Sequence, residues 1–540
     1  MRGTMMEYPL TLQQLLFRNQ RLFGNKQVIS RTADGIHRYS YGEYGERVAR
    51  LANALRRLDV GAGDRVATLA WNTYRHLELY YAVPCMGAVL HTVNIRLSPE
   101  QIAYIINDAG DSVLAIDREL LPLLDAVRPQ LTTVKRVIVM GGNEGGHDYE
   151  ELLAEASPEF AWPEIDERDA AGICYSSGTT GSPKGVVYSH RAVYLHSMGL
   201  ATVDSLALSE GDRVLPVVPM FHVNAWGLPH ASVGLGAELI MPGPAPTPKD
   251  ILELIQDEAA TVAAGVPTVW LAALDVARGG GYDLSSLREM VCGGSAAPQS
   301  LIEAWEKEIG VPFLHAWGMT ETAPVATVCR VKTSLQDVDD DEMYAIKAKQ
   351  GLPVLGVDLS IVDDAGQELP WDGTTSGEIV VRGPWVTAGY FHDDAPDRFI
   401  DGWFRTGDVA TIDANGYVRI VDRTKDLVKS GGEWISSVEL ENAIMGLPAV
   451  AEAAVIAVPN ARWGERPLAL VVRRPGADLT EEEVLEHLRG RVARFAVPDT
   501  VEFVDEIPKT GVGKFDKKKL RQVYAQTPGP AMSAPRGEKG

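Results

Sequence analysis

Cysteine is scarce and scattered: four residues in 540, at Cys85, Cys174, Cys292 and Cys329. None are spaced as a CxxC pair or as metal ligands. That argues against a disulfide scaffold or a cysteine-held metal centre, and the thiols are expected to be reduced in a cytoplasmic protein. Positive charge is also short. Lys and Arg total 51 against 73 Asp and Glu, a net charge of −22. Nucleic acid and anionic membrane both require a broad basic surface, so neither is expected as a main partner. No apolar run of 18 residues is present to form a membrane span, and no signal peptide is read at the start. Anionic small molecules stay open, because a few cations and N–H groups suffice to hold one.

What is present is apolar bulk. At 540 residues and 45% hydrophobic, the chain is too long for one core, and two or more domains are expected. Over the first 420 residues, short β-type runs alternate with helical patterns. Strands are expected at DRVATLAW (64–71), SVLAID (112–117), KRVIVMG (135–141), GAELIMPG (236–243) and TVAAGVP (261–267). SPEQIAYIINDAG (98–110) reads as a Ser-capped helix stopping at Gly, and Thr11 is expected to cap a helix through Leu12, Leu15, Leu16 and Phe17. This alternation predicts α/β layers with mostly parallel sheets. From about residue 350 short β segments and turns take over, and a small α+β domain follows. The expected division is 1–421, 422–526 and a loose tail at 527–540. VGAGDRVATLAW (60–71) imitates a dinucleotide fingerprint, but its glycines follow a helix and precede a strand, the reverse of what phosphate binding needs; it is a turn.

Four segments carry the chemistry. YSSGTTGSPKG (175–185) is not a Walker loop, because Ser182 and Pro183 separate its last Lys from Gly181. It lies between the β-type runs AAGIC (170–174) and GVVYSH (185–190), as a hairpin-like loop would. Its N–H groups could wrap a polyphosphate with Lys184 as counter-charge, or it could be a surface loop. HAWGMTETAP (315–324) sets Glu321 between two threonines, a hard-oxygen set suited to Mg²⁺; the alternative, an exposed turn, leaves Trp317 unexplained. GWFRTGDVA (402–410) ends a strand-like run at Asp408, a carboxylate able to take two ribose hydroxyls. DRTKDLVKSGGEWIS (422–436) spaces Arg423, Lys425 and Lys429 ahead of a glycine pair, as a site or as a solvated surface.

In this order and at these separations, the four segments and PKTGVGKF (508–515) resemble the acyl-adenylate-forming enzymes over nearly the whole chain. VVPMFHVNAWGLPH (217–230), GGSAAP (293–298) and KSGGEWISSVELEN (429–442) are most similar to bacterial medium- and long-chain fatty acyl-CoA synthetases. The resemblance implies an α/β fold: a large N-terminal AMP-binding domain of layered sheets with a β-rich subdomain, then a small mobile α+β domain hinged at Asp422. It implies ATP, Mg²⁺ and CoA, with a medium- or long-chain fatty acid as substrate, and it is compatible with a homodimer. Ser176, Ser177, Gly178, Thr179, Thr180, Gly181 and Lys184 would hold the phosphates, and Ser176 and Glu321 the Mg²⁺. Ser176 stands where the family often has Thr, which keeps the hydroxyl. Gly294, His315, Ala316, Trp317 and Thr320 would form the adenine pocket, with Val223 and Trp226 beside it. Asp408 would take the ribose, with Arg423 and Lys425 near it. Lys429 and Trp434 would belong to the mobile domain, and Gly431 and Gly432 would meet CoA. His222, Trp226, Gly294 and Gly318 would line the acid site, Trp226 as gate of the acyl tunnel. His222 could equally pack beside Phe221, and Trp226 could be a core aromatic. Lys514 would activate the first half-reaction, with Glu321 and Lys184 as its partners in catalysis. An aryl or short thioether-containing acid is the competing substrate. A peptide-synthetase adenylation domain fits less well, because FHVNAW has no Asp to pair with an amine.

Overall fold

Two sheets of mostly parallel strands organise the first 353 residues, and the local sequence shows how each turn back is made. The computed structural model describes residues 1–176, 183–430, 433–460, 462–509 and 515–524. Strand Val89–Thr92 leads to Ser98, whose hydroxyl accepts the Gln101 N–H while the Gln101 side chain caps Ser98 in return. Pro99 takes the first helical position, and Gly110 closes helix Pro99–Ala109 in a left-handed cap before strand Val113–Asp117. Each device satisfies backbone groups that a helix end leaves orphaned. Ile102, Ile106, Leu114, Ile116 and Ile173 then bury the helix against its sheet.

The seven-stranded sheet runs His147–Asp148, Arg136–Met140, Val113–Asp117, Arg65–Leu69, Val89–Thr92, Ala170–Tyr175, Gly185–Ser189. The first six strands are parallel, and the last pairs antiparallel with Ala170–Tyr175. The nine-stranded sheet has a parallel core in the order Phe313–Gly318, Glu289–Cys292, Val262–Gly265, Arg213–Pro216, Glu238–Met241, Gln27–Thr32. Antiparallel strands flank that core on both sides. Its core includes Trp270 and Trp305, both fully buried. Their indole N–H groups donate to the carbonyls of Val291 (3.1 Å) and Trp270 (3.2 Å), so neither leaves a polar group unpaired.

A five-stranded sheet follows, built from Asp358–Val362, Ser376–Arg382, Phe399–Ile400, Trp403–Ile412 and Val418–Arg423. The chain falls into two compact units. The first comprises Met1–Ala297, Leu301–Ser360 and Val380–Arg405; the second comprises Pro298–Ser300, Ile361–Ile379 and the chain from Thr406 onward. In the second, the long hairpin Val450–Asn460 and Gly464–Arg473 takes Thr500–Phe503 as a parallel neighbour. Val455 and Val471 of this hairpin pack with Leu440, Ile444 and Val484.

Two expectations need correction. Thr11 stands before helix Leu12–Phe23, but its hydroxyl makes no capping bond; the Leu12 N–H donates instead to His190 Nδ1 at 3.3 Å. The strand carrying Asp408 does not end there but runs on to Ile412, because Val418–Arg423 pairs along it.

Candidate active site

Parallel strands end together, and their carboxyl ends leave a crevice where ligands collect. In the first unit the expected site residues lie at such ends. Ser176 follows strand Ala170–Tyr175, Gly294 follows Glu289–Cys292, His315 to Gly318 finish Phe313–Gly318, and His222 to Trp226 lie beyond Arg213–Pro216. Asn72, just past strand Arg65–Leu69, joins the two edges. Its NH₂ donates to the carbonyls of Pro216 and Val218, both at 2.8 Å, and its oxygen accepts the Met220 N–H at 2.7 Å.

The base of the loop is closed by the Ser176 N–H donating to the Lys184 carbonyl at 2.9 Å. Ser177, Gly178, Thr179, Thr180 and Gly181 lie outside the described residues, as do Gly431, Gly432, Lys514 and the tail. Lys184 Nζ pairs with Asp393 at 2.8 Å and stands 4.9 Å over the ring of Tyr390. The Tyr390 hydroxyl in turn donates to Glu321 Oε1 at 2.7 Å. Burial and the Glu321 charge together push the Tyr390 phenol above its ordinary range, so it remains a donor. Glu321 is 6% exposed, and no cation pairs with it among the described residues. Its short helical turn is pinned by the Tyr188 hydroxyl on the Thr320 carbonyl (2.7 Å) and by the Thr387 N–H on its own carbonyl (2.8 Å). Lys184 and Glu321 are thus brought within one tyrosine of each other. Sequence reasoning missed Tyr390 and Asp393, whose segment TAGYFHDD carries only the marks of a connecting loop.

A lone buried carboxylate suits Mg²⁺, which takes one or two carboxylates and fills its other positions with water and substrate phosphates. Among the described residues no three His, Cys, Asp or Glu side chains gather as an all-protein metal cage.

His315 is buried, with Nδ1 3.1 Å from the Ala348 carbonyl and Nε2 accepting the Ala297 N–H at 3.4 Å; burial lowers its pKa. Ala316, Trp317 and Thr320 are buried beside it, which removes the exposed-turn alternative. Gly318 has to be glycine, since a Cβ there would fall 1.9 Å from the Pro324 carbonyl oxygen. Trp226, 9% exposed, reaches across to the loop after Cys292; a Cβ on Gly293 would lie 3.2 Å from its Cη2. It stands at the end of an unusual turn. Val223, Asn224, Ala225 and Trp226 all have positive φ, ahead of Gly227. Each such residue costs roughly 1–2 kcal/mol in crowding between Cβ and the next carbonyl. His222 is half-buried at the start of that turn, where its N–H donates to the Pro219 carbonyl at 3.1 Å. His190 and His196 are both buried, and His196 Nε2 accepts the Val325 N–H at 3.2 Å.

The second unit holds its own set. Asp408 and Arg423 are cross-strand partners, with Nε 3.2 Å from Oδ1. Burial holds the nearby Lys425 ammonium below its ordinary pKa. Lys429 stacks 4.5 Å over Trp434, its partner on the neighbouring strand. Asp422 is buried. Its Oδ2 accepts the N–H (2.7 Å) and hydroxyl (2.5 Å) of Ser437, and Oδ1 accepts the Arg423 N–H at 2.7 Å. Burial raises its pKa. Lys517 lies 2.6 Å from the Ser437 hydroxyl and pairs with buried Glu441 at 2.7 Å.

The AMP-binding enzyme family matches residues 16–391, and the AMP-binding enzyme C-terminal domain matches residues 439–514. The chain is 51% identical over 529 residues to a long-chain-fatty-acid–CoA ligase of Thermus thermophilus, covering 97% of each. It is 45% identical to a 3-methylmercaptopropionyl-CoA ligase of Ruegeria lacuscaerulensis, over 97% of this chain and 99% of that one. Among solved structures, the anthranilate CoA ligase AuaEII in complex with anthranoyl-AMP superposes with a TM-score of 0.86 at 28% identity, over 96% of this chain and 98% of that one. Matched along most of its length, and sharing half its residues with a full-length relative, the chain belongs to the AMP-binding enzymes.

Proposed function

We propose that the protein joins a medium- or long-chain fatty acid to CoA in two steps through an acyl-adenylate. The observation carrying this reading is the Lys184–Tyr390–Glu321 chain, which links the base of the 176–184 loop to a buried carboxylate that has no cation partner among the described residues. A carboxylate oxygen of the acid attacks the α-phosphorus of ATP, the bond to pyrophosphate breaks, and the mixed anhydride with AMP remains. The acid is already ionised at neutral pH, so this step requires no general base. Negative charge grows on phosphoryl oxygens, and stabilisation is chiefly electrostatic. Bound Mg²⁺ would supply Lewis-acid charge at the phosphates, with Glu321 and Ser176 as the protein's ligands. Lys184 opposes phosphate charge from the loop, and Lys514 is assigned to activating this first half-reaction. Asp408, paired with Arg423, takes the ribose, and His222 positions the acid carboxylate. In the second step the CoA sulfur bonds to the acyl carbon, the anhydride C–O bond breaks, and AMP leaves with the thiol proton passing to solvent. Asp422 is the hinge by which the C-terminal segment exchanges one step for the other.

The 51% identity to the Thermus ligase supports a long acyl chain. The packing of Trp226 close to Gly293 favours a second reading, a short thioether-containing acid like that named for the Ruegeria relative. Pyrophosphate release against a panel of acids, with and without CoA, separates them. AMP and pyrophosphate are expected from ATP, with thioester only when CoA is present. ADP and phosphate would overturn the two-step reading, and a maximum on short thioether acids would overturn the fatty-acid assignment alone.

A further inference from the structure

The turn before Gly227 runs against its own stereochemistry. Val223, Asn224, Ala225 and Trp226 take φ of 47°, 49°, 47° and 59°. None is glycine, and such a run persists only where the surroundings over-determine it. Backbone bonds secure part of it: the Ala225 N–H reaches the carbonyls of Pro219 and His222, each at 3.2 Å. A further hold comes from one side chain. The carboxamide oxygen of Asn224 accepts from the Thr92 hydroxyl and the Cys174 thiol, each at 3.2 Å, and lies 3.3 Å from the Tyr80 hydroxyl. Tyr80 has one hydroxyl proton, which goes to the Met220 carbonyl at 2.5 Å, so it holds the same segment by its backbone. The two donors stand on separate strands, Val89–Thr92 and Ala170–Tyr175, with Tyr80 on helix Tyr74–Cys85, and all four residues are buried. Asn224 is therefore tied to two fixed points, and Trp226 follows two residues later.

We infer that Asn224 is the positioning residue for Trp226: its carboxamide locks the left-handed turn and thereby fixes how close the indole stands to Gly293. Released from that lock, the turn relaxes towards the right-handed region, which re-aims every Cα–Cβ bond in it and withdraws the indole. Discrimination among acyl chain lengths changes with it. The inference rests on the reading of Trp226 as the gate of the acyl tunnel.

The test compares kcat/KM across saturated acids from short to long, with the KM for ATP and the melting temperature followed alongside. Asn224→Leu, similar in size but with no acceptor, is expected to change the long-to-short ratio by about tenfold while the KM for ATP holds. Asn224→Asp keeps an acceptor in place and is expected to restore the wild-type ratio. Ala225→Gly relieves neighbouring strain without touching the carboxamide and is expected to leave the ratio alone. Adding Asn224→Leu to Trp226→Ala is expected to change nothing further, since the two act through one indole. Should Asn224→Leu fail to fold, Thr92→Val removes one donor and serves in its place. A uniform loss on every acid, failure of Asn224→Asp to rescue, or an equal effect from Ala225→Gly would overturn the inference. If Trp226→Ala shifts the ratio and Asn224→Leu does not, this inference alone falls. If Trp226→Ala leaves the ratio unchanged, the gate reading falls and takes the inference with it.

Discussion

Replacing Tyr390 with Phe removes one atom and isolates one interaction. The lost hydroxyl donates to Glu321 Oε1 at 2.7 Å. The ring stays, so Lys184 keeps its stacking partner at 4.9 Å and its ion pair with Asp393. A hydrogen bond to a charged acceptor contributes about 1.5–3 kcal/mol. Groups that orient a metal-binding carboxylate typically change metal affinity by about 10–100-fold when removed. The two figures agree, since about 1.4 kcal/mol is one decade. Tyr390→Phe should therefore raise the free Mg²⁺ needed for half-maximal pyrophosphate release by about 10–100-fold at saturating ATP. The kcat at saturating Mg²⁺ should stay close to that of the parent, because the carboxylate itself remains. Tyr390→Ala, which also removes the ring beneath Lys184, should add a rise in the KM for ATP. An unchanged Mg²⁺ requirement would refute the reasoning. So would a fall in kcat at an unchanged requirement, which would mean that the hydroxyl does not act through Glu321.

Three further outcomes are expected. Glu321→Ala should lower adenylation at least about 100-fold with any acid, as loss of one transition-state electrostatic partner does; near-normal turnover at saturating Mg²⁺ would place the metal elsewhere. Lys514→Ala should nearly abolish acyl-adenylate formation, yet still convert pre-made acyl-adenylate and CoA to thioester; equal losses in both half-reactions, with the melting temperature as control, would refute that division. His196, sealed in the core, is held neutral by burial at a pKa of about 3. The unfolded chain takes up its proton near the ordinary value, so this contribution to stability is full above pH 6.5 and is lost as pH falls below it. The stability difference between the parent and His196→Gln should shrink by about 1.4 kcal/mol between about pH 7.5 and pH 5.5. A difference that ignores pH, read from urea unfolding, would mean the imidazole takes up its proton in the folded state.

Local chemistry was legible and long-range chemistry was not. Ser98, Pro99 and Gly110 act within a helix's own length, so strand, cap, helix and stop could be read in order. The loop between Tyr175 and Gly185 could be read as a hairpin because apolar runs bracket it. Tyr390 and Asp393 escaped because they meet Lys184 across roughly 200 positions, and no short-range pattern records such a meeting. The left-handed turn escaped for the opposite reason. Glycine is the sequence mark of positive φ, and residues 223–226 have none; Thr92 and Cys174 hold the turn through Asn224, and Tyr80 through the Met220 carbonyl, all from elsewhere in the fold. The run in GWFRTGDVA reads as ending at Asp408, whereas pairing with Val418–Arg423 carries the strand past it.

All four cysteines are buried. For an enzyme whose proposed co-substrate is itself a thiol, this decides which sulfur in the reaction mixture is reactive. Burial holds the Cys174 thiol at a pKa of about 11 and pushes Cys85 and Cys292 higher than usual as well. Thiol–disulfide exchange needs an accessible thiolate, and buried thiols with raised pKa offer almost none. Oxidised co-substrate therefore finds no partner on this protein with which to form a mixed disulfide. The catalyst is insulated from the redox state of the pool it draws on, and its turnover follows how much reduced thiol is present rather than how oxidised its surroundings have become.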